Sequence, residues 1–473
     1  MNDAQISGHH TSTSYEQQKA IMEVLEVCNI TPSPSPPTHF SLPLTFFDLV
    51  QFLAPPTERI LFYTLPANDL PRFDSILQTL KHSLSLTLSH FLPLAGNLVW
   101  PHHSQDPFIL YNPGDSVSLT IAKTEADFHH LSSNHVRKAK ESHFLVPQLP
   151  TSDTIAPPMS LQITLFPKSG FSIGIVTNHV VVDGKTSTMF LKSWASICST
   201  LNCTNNNLPT LPPELTPFFD RTAARDPNGL QRLYVKYYGA FVRQPKILGL
   251  TPKRVISDDV VYATFELTRT DIEKLRTKVV ATSSSTPRRL STFMLAFSLI
   301  STCIVKAERI EPKSKIALFF AMDMRPRMGA LGGLNYFGNC VSTLGVFLEA
   351  KELEEENGMA MVANKISDRM MEIENSVKEN KVVEMVEEIL GRWGREMPIS
   401  KMIGVGGSPR FGVYEIDFGW GNSKKVEMAS MDPNGTFSIT ESRSGNGGVE
   451  VGIALPNDVM NVLSSLFYEE VKE

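Results

Sequence analysis

The sequence contains little cysteine, and this shortage excludes several kinds of protein. Five cysteines occur among 473 residues, and no two of them have the CxxC spacing that zinc sites and redox motifs use. Their number is odd, whereas a disulfide framework uses paired cysteines in a short secreted chain. We therefore expect neither a disulfide framework nor structural zinc, and we expect the reducing environment of the cytoplasm.

Also missing are a long apolar run and an excess charge of one sign. The longest apolar stretch, residues 293–305, is interrupted by Ser298, Ser301 and Thr302 and is too short to span a bilayer. Residues 1–18 have no apolar core, so no signal peptide is predicted. With 44 basic and 49 acidic side chains, the net charge of −5 would attract neither nucleic acid nor an anionic membrane.

Strand and helix patterns predict a mixed α/β protein in two halves. Residues 1–21 are polar and are predicted to form a disordered tail. An Asn- and Pro-rich segment at 202–230 is predicted to link an N-terminal domain at 22–201 to a C-terminal domain at 231–473. Apolar periodicity predicts helices at 73–92, 186–201, 270–279, 291–306 and 352–382, and strands at 24–30, 60–65, 161–166, 171–182, 260–267, 316–322, 411–418, 425–431, 436–441 and 449–455.

His179 is the first candidate for chemistry. It is the last of twelve histidines, and the other eleven lie at or before His143. It lies in the segment NHVVVDG at 178–184, between a predicted strand and a predicted helix, where catalytic groups are often found. Taken alone, a His-x-x-x-Asp pair is common, and it more often marks a hydrogen-bonded core histidine than a catalytic one.

The segment GFSIG at 170–174 matches the GxSxG nucleophile elbow of serine hydrolases. That elbow needs its serine at a sharp strand-to-helix turn, with the triad histidine downstream. Ser172 instead lies within an alternating strand pattern, and the only downstream histidine is seven residues away. We therefore reject a serine hydrolase.

Two further segments combine glycine with aromatic residues: DFGWG at 417–421 and YFGNC at 336–340. The glycines on either side of the tryptophan favour a tight turn that holds this bulky side chain. From these residues alone, DFGWG is interpreted as a rigid structural loop in preference to a source of a catalytic carboxylate. No set of His, Cys and carboxylate residues has the spacing of metal ligands, so no metal site is predicted.

Together, HxxxD at 179–183, YFGNC and DFGWG resemble the plant BAHD acyltransferases. The YFGNC segment is similar to the clade that acylates flavonoids, anthocyanins and other phenolic glycosides. Softer similarities extend over nearly the whole chain after Met22, at LPLTFFD (42–48), FLPLAG (91–96), DR (220–221), LSTF (290–293) and GSPRF (407–411).

The resemblance implies an α/β fold of two similar-sized, chloramphenicol-acetyltransferase-like domains with mixed sheets and an interdomain solvent channel. It implies CoA-dependent O-acyl transfer without an acyl-enzyme, with acyl-CoA as co-substrate and no permanently bound cofactor. Malonyl-CoA is the expected donor, and a sugar hydroxyl of a phenolic glycoside is the expected acceptor. The alternatives are a hydroxycinnamoyl donor (coumaroyl- or caffeoyl-CoA) and, more remotely, a non-catalytic binding relative. A monomer is expected.

The resemblance also assigns roles to single residues, with His179 as the general base. Asp183 and Asp417 complete the expected catalytic set, and Asp183 is expected to pair with Arg325. Lys185 and Arg327 are predicted to neutralise the malonyl carboxylate, because an unpaired buried charge is costly. The remaining expected roles are substrate contact for Asp48, Tyr336 and Phe337, CoA contact for Ser291, Thr292, Ser408 and Arg410, and structural support for Arg325, Gly184, Phe418, Gly419, Trp420 and Gly421.

Overall fold

The fold is seen in a computed structural model, which describes residues 22–66, 73–101, 106–150, 155–167, 169–203, 209–224, 226, 229–234, 256–283, 290–379, 381 and 398–472. The predicted tail at 1–21 and part of the predicted linker lie outside these residues. In the described part, no helix is both long enough and apolar enough to cross a membrane.

Strands and helices alternate along the described chain. The strands are β1 Met22–Ile30, β2 Phe40–Pro43, β3 Thr57–Thr64, β4 Asn97–Val99, β5 Phe108–Tyr111, β6 Val117–Thr124, β7 Arg137–Lys138, β8 Ile155–Ala156, β9 Met159–Phe166, β10 Gly170–Thr177, β11 Val260–Leu267, β12 Lys315–Asp323, β13 Val341–Glu349, β14 Lys401–Gly406, β15 Lys425–Met428, β16 Thr436–Glu441 and β17 Val449–Pro456. The α-helices are α1 Phe46–Leu49, α2 Phe73–His90, α3 Leu92–Ala95, α4 Phe128–Leu131, α5 Gly184–Cys203, α6 Arg269–Thr282, α7 Thr292–Glu308, α8 Ala350–Glu354, α9 Gly358–Lys378 and α10 Asn457–Lys472.

The first large sheet has the strand order β1-β6-β9-β10-β3-β15. It is mixed, because β6 and β9 run parallel while the other pairs are antiparallel. Every residue of β10 is buried, which explains its nearly continuous apolar sequence. Helices α2 and α5 pack together over this sheet, where Trp194 Nε1 donates to Leu80 O at 3.2 Å and to Ser83 Oγ at 3.0 Å. The loop that leaves β10 therefore starts from a fully buried strand.

The second large sheet has the order β13-β12-β14-β16-β17-β11-β7, and a smaller sheet has the order β2-β5-β4-β8. The second sheet is also mixed, since β14 runs parallel to both β12 and β16. Helix α7 is its central support, with thirteen of its seventeen residues buried. The mixed α/β architecture predicted from the sequence is confirmed.

The two large sheets exchange strands. Strand β15 comes from late in the chain and pairs with β3 at the edge of the first sheet. Strand β7 comes from early in the chain and pairs with β11 at the edge of the second. Arg137 in β7 and Glu427 in β15 form an ion pair whose side chains are 1% and 2% exposed. The division into 22–201 and 231–473 stays a prediction, and each large sheet draws on both segments.

Most predicted elements are present, and two are wrong. The strands at 260–267 and 436–441 coincide with β11 and β16, and the helix at 291–306 corresponds to α7. Residues 411–418 form no strand, because Gly412 has a left-handed φ of +64° and a short 3-10 turn follows it. The helix predicted at 352–382 is divided into α8 and α9, and its last residue lies outside the described chain.

Candidate active site

His179 lies in a turn at the end of β10. The strand predicted at 171–182 ends at Thr177, where the chain leaves the sheet. Val181 N–H donates to Asn178 O at 3.0 Å, and Val180 N–H donates to the side-chain oxygen of Asn178 at 3.0 Å. The two hydrogen bonds accepted by Asn178 therefore stabilise the turn in which His179 leaves the sheet.

The carboxylate of Asp183 is bound by Arg325 and by two backbone N–H groups. It is 3% exposed and accepts from Thr186 N–H at 2.9 Å, from Arg325 Nη1 at 2.8 Å and from Cys340 N–H at 3.1 Å. Burial raises the pKa of this carboxyl, but the charge and hydrogen bond of Arg325 and the two backbone N–H groups hold the pKa below its usual value. Asp183 is therefore ionised at neutral pH, and the pair expected with Arg325 is present.

The Arg325 guanidinium ties together three segments of the chain. Besides the bond to Asp183, Nη1 donates to Asp323 Oδ1 at 3.1 Å. Nη2 donates to Thr186 Oγ1 at 3.1 Å, to Gly338 O at 2.9 Å and to Tyr336 O at 3.3 Å. The start of α5, the loop after β12 and the YFGNC segment thus share one buried cation.

Asp48 is fully buried, with 0% exposure. Its Oδ2 accepts from Thr45 N–H at 2.8 Å and from Thr45 Oγ1 at 2.9 Å. Its Oδ1 accepts from Asn339 N–H at 2.9 Å and from Asn339 Nδ2 at 3.1 Å. Four donors occupy the carboxylate, so Asp48 has no surface that substrate could touch. This corrects the substrate contact expected from the sequence.

The aromatic residues of YFGNC are also inside the protein. The Tyr336 hydroxyl accepts from Arg221 Nη1 at 2.6 Å, and the residue is 1% exposed. Phe337 is 0% exposed and packs against Phe219 and Phe91, with ring centroids 5.2 and 6.3 Å apart. Both side chains are supports in this structure, which corrects their expected contact with substrate.

His179 is half-buried, and its backbone oxygen accepts from Asn339 of the YFGNC segment. Its Nδ1 is enclosed, which leaves Nε2 as the nitrogen that a substrate could reach. Burial lowers the pKa of His179 below 6.5, although its own backbone, the charge of Asp183 and the amide of Asn339 act in the opposite direction. At neutral pH the ring is therefore uncharged, as a general base must be.

Both cations predicted to bind a malonyl carboxylate already have acidic partners. Lys185 Nζ is half-exposed and lies 3.3 Å from Asp323 Oδ2. Arg327 Nη2 donates to Glu374 Oε1 at 2.9 Å, and its Nη1 donates to Asp323 O at 2.8 Å. Neither is a free cation beside His179, so the geometry does not support the predicted role.

DFGWG forms a loop that closes on its own aspartate. Asp417 Oδ1 accepts from Gly419 N–H at 2.7 Å and from Gly421 N–H at 2.9 Å. Both glycines have positive φ, at +101° and +96°, a conformation that other residues adopt at a cost. The carboxylate of Asp417 therefore shapes the turn, as its glycine spacing indicates.

This loop lies far from His179. Phe418 packs edge-on to Tyr63 at 5.6 Å, and Trp420 packs edge-on to Phe171 at 6.3 Å. Tyr63 and Phe171 are paired at the start of β10, and His179 follows its other end. The six residues of strand between them span about 20 Å at ~3.3 Å per residue. The geometry therefore favours a structural role for Asp417 and does not support the expected catalytic one.

The residues predicted to contact CoA lie at two places. Ser291 caps α7, where its Oγ accepts from Met294 N–H at 3.2 Å, and Thr292 is the first residue of that helix. Ser408 Oγ accepts from Arg410 N–H at 3.3 Å in the loop after β14. Their contact with CoA stays a prediction.

The loop after β14 also contacts the start of α5. The ring of Phe411 lies against Gly184, and a Cβ added at Gly184 would be 2.8 Å from Phe411 Cε2. A larger residue would push this loop away from the HxxxD segment. The structural role predicted for Gly184 has a physical basis in this contact.

The sequence did not reveal the contacts made by Asn339, Arg221 and Thr186. Asn339 lies within YFGNC and Arg221 within the DR pair, so both were visible as motif letters. Thr186 Oγ1 donates to Gly338 O at 2.8 Å, a partner 152 residues away. No local pattern signals such contacts, because each partner comes from a distant part of the chain.

Known proteins match nearly the whole chain. The model of the Transferase family matches residues 21–470. Phenolic glucoside malonyltransferase 1 of Arabidopsis thaliana is 39% identical, over 96% of this chain and 98% of its own. Agmatine coumaroyltransferase of the same plant is 34% identical, over 95% of this chain and 99% of its own.

A solved structure shares the fold. Vinorine synthase superposes with a TM-score of 0.67 at 21% sequence identity, covering 94% of this chain and 98% of that one. At this identity the likeness concerns the fold alone.

Proposed function

This chain belongs to the Transferase family and is a BAHD-type acyltransferase, and from that premise we propose that it transfers a malonyl group from malonyl-CoA to a sugar hydroxyl of a phenolic glycoside. The observation that carries the proposal is the position of His179 at the end of β10 with Nδ1 enclosed, where burial lowers the pKa of the imidazole. A base in this state is ready to accept a proton through Nε2.

In the proposed reaction His179 acts as the general base. A sugar hydroxyl has a pKa far above 7, so its proton must be removed as its oxygen bonds to the thioester carbon. Nε2 takes this proton, a tetrahedral oxyanion forms, and the C–S bond then breaks. The CoA sulfur leaves and receives the proton from the imidazolium. General-base assistance of this kind contributes roughly 10²–10⁴-fold to the rate.

The local thiol supports a direct attack without an acyl-enzyme. Cys340 belongs to YFGNC and its backbone N–H donates to Asp183 at 3.1 Å. It is 0% exposed, and burial raises its pKa, so the thiol stays protonated and enclosed. A nucleophile in this state would not accept an acyl group from CoA.

The donor is inferred from the names of similar proteins. The name of phenolic glucoside malonyltransferase 1, at 39% identity, supports a malonyl donor and a phenolic glucoside acceptor. The name of agmatine coumaroyltransferase, at 34% identity, supports coumaroyl-CoA as the second candidate donor. The identities favour malonyl-CoA by a small margin, so the donor needs a direct test.

The test is a donor screen with the purified chain. Malonyl-, acetyl-, coumaroyl- and caffeoyl-CoA are each offered with a panel of flavonoid and simple phenolic glucosides, with His179→Ala as the inactive control. We expect kcat/KM for malonyl-CoA to exceed the others at least tenfold. A preference for coumaroyl-CoA would replace the malonyl proposal, and CoA binding without transfer from any donor would indicate a non-catalytic relative.

The proposal includes a cytoplasmic monomer with acyl-CoA as co-substrate and no permanently bound cofactor. The free thiols of Cys28, Cys198, Cys303 and Cys340 fit the reducing environment of that compartment. Light scattering of the purified chain should give a mass near 52.6 kDa. A mass of twice that value would contradict the monomer.

A further inference from the structure

The side-chain amide of Asn339 is surrounded by oxygen atoms. Its Nδ2 lies 2.9 Å from His179 O, 3.0 Å from Val180 O and 3.1 Å from Asp48 Oδ1. Asn339 is 0% exposed. Turning the amide over would set its oxygen against these three acceptors, so they fix which end is nitrogen. The position of Oδ1 is then fixed as well.

Two complementary atoms remain at this place. Asn339 Oδ1 and His179 Nδ1 are both buried, and neither has a hydrogen-bond partner in the part of the chain that the structure describes. An amide oxygen accepts, and a neutral imidazole has one N–H that donates. The Asn339 amide also opposes the lowering of the His179 pKa by burial, with a smaller influence than the His179 backbone and the charge of Asp183.

We propose that Asn339 is a positioning residue whose Oδ1 comes to accept from His179 Nδ1–H, a bond not yet formed in this structure, so that the imidazole is kept in the tautomer with an unprotonated Nε2. The inference rests on the proposed role of His179 as the base. Only this tautomer can take the hydroxyl proton at Nε2 while the C–O bond forms. The opposite tautomer carries a proton on Nε2 and cannot begin the reaction.

Asp48 fixes the orientation of the Asn339 side chain. It receives both the backbone N–H and Nδ2 of Asn339, and it is itself fixed by Thr45. Asp183, the acid within the motif, binds Arg325, and His179 Nδ1 makes no hydrogen bond to it. The residue four positions from His179 thus supports the loop, and the residue 160 positions away orients the imidazole.

The other group that could hold Nδ1–H is the carbonyl oxygen of His179 itself, which also acts on the ring. That oxygen already accepts from Asn339 Nδ2 at 2.9 Å. The two arrangements differ in what happens when Asn339 is removed: the carbonyl remains, whereas the amide oxygen is lost. This difference makes the proposal testable.

The experiment is ¹⁵N NMR of the whole enzyme labelled at the histidine ring nitrogens, in which the signals absent from His179→Ala identify His179. We expect Nδ1 to carry the proton in the wild type. In Asn339→Ala the tautomer should shift toward Nε2–H, and kcat should fall at least tenfold with KM for acyl-CoA within twofold. If Asn339→Ala does not fold, Asn339→Ser removes the same acceptor, because its hydroxyl is too short to take the place of Oδ1.

Thr186→Val is the matched control. It removes a buried hydroxyl that bonds to Gly338 O and to Arg325, and it leaves Asn339 intact. Its melting temperature should fall while the His179 tautomer stays unchanged. A wild-type proton on Nε2 would overturn the proposal, and so would an unchanged tautomer in Asn339→Ala. Since the NMR measurement needs no substrate, failure to transfer malonyl would contradict the proposed function and not this inference.

Discussion

Two buried ion pairs join early and late parts of the chain, and they differ in what surrounds them. Asp183–Arg325 has side chains 3% exposed on both sides, and Glu427–Arg137 has side chains 2% and 1% exposed. The first lies between motif loops beside the half-buried His179. The second links the exchanged strands β15 and β7, where Glu427 also accepts from Ser142 Oγ at 2.8 Å.

The comparison shows that a buried charge pair does not by itself identify a site. Both pairs need hydrogen bonds to compensate for the loss of hydration. The first receives them from several groups, whereas Arg137 Nη1 of the second is buried without a partner among the described residues. Only the first fixes a loop whose imidazole can face a substrate. The second, with Lys425 Nζ 3.1 Å from Glu450 Oε2 nearby, stabilises the contact between the sheets.

Replacing His179 should have the largest effect on activity of all the substitutions considered, without a matching effect on stability. His179→Ala is expected to lower kcat by at least 10²-fold, because the general base is lost. Its thermal melting and CoA affinity should stay near the wild-type values, since the imidazole is not part of either ion pair. Steady-state kinetics and calorimetry measure this, and a variant that keeps more than about a tenth of the rate would exclude His179 as the base.

Breaking each pair from the acidic side tests the comparison directly. Asp183→Asn and Glu427→Gln should each lower the free energy of unfolding by about 3–5 kcal/mol, because each leaves a buried arginine without its counter-charge. The folded fraction of Asp183→Asn should lose activity, and that of Glu427→Gln should retain it.

Urea unfolding and activity per folded molecule measure these two effects. If Asp183→Asn lowers the rate without lowering stability, Asp183 acts on the histidine directly. Loss of activity in folded Glu427→Gln would remove the distinction between the two regions.

Acid should separate catalysis from folding. Because burial lowers the pKa of His179 below 6.5, kcat/KM should begin to fall only below pH 6.5, as the base is protonated. Asp183 stabilises the fold above its unfolded pKa near 3.8, and this contribution is lost only as pH falls through its lower folded pKa. Between these values the protein should be folded and reversibly inactive, and unfolding that coincides with the loss of rate would contradict this.

Removal of the DFGWG carboxylate should have a moderate effect on stability alone. Asp417→Ala leaves the N–H groups of Gly419 and Gly421 without their acceptor, which should cost about 1–2 kcal/mol. Because the loop lies far from His179, kcat of the folded enzyme should stay within twofold. A large fall in kcat at unchanged stability would return Asp417 to the catalytic set.

Breaking the half-exposed ion pair between Lys185 and Asp323 should have the smallest effect on stability and on activity. Lys185→Met should change the free energy of unfolding by less than about 1 kcal/mol, as is usual for such pairs. KM for malonyl-CoA should stay within twofold, because Lys185 already has Asp323 as a partner. A rise in KM for malonyl-CoA but not for coumaroyl-CoA would restore the role that the sequence suggested.

The fold was predictable where the apolar pattern is regular. Helix α7 and strand β11 have strong patterns and were found with bounds close to those of the structure. Strand β14 was missed, because two of its six residues are glycine and the Phe319 ring occupies the space where a side chain at Gly404 would be. The strand predicted at 411–418 failed because Gly412 turns the backbone. A hydrophobicity pattern shows neither which side chain fills the space beside a glycine nor which backbone conformation the glycine adopts.

The sequence by itself determined the reaction class and predicted His179 as the base, because each motif that signals them is a short, continuous segment. Only the tertiary structure decided what each motif residue contacts. Asp48 and Phe337 became supports, Asp417 was placed far from the base, and Asn339 was brought to His179 across 160 residues. The physical reason is that a buried polar group must find its hydrogen-bond partner wherever the fold provides one, and these partners come from distant segments of the chain.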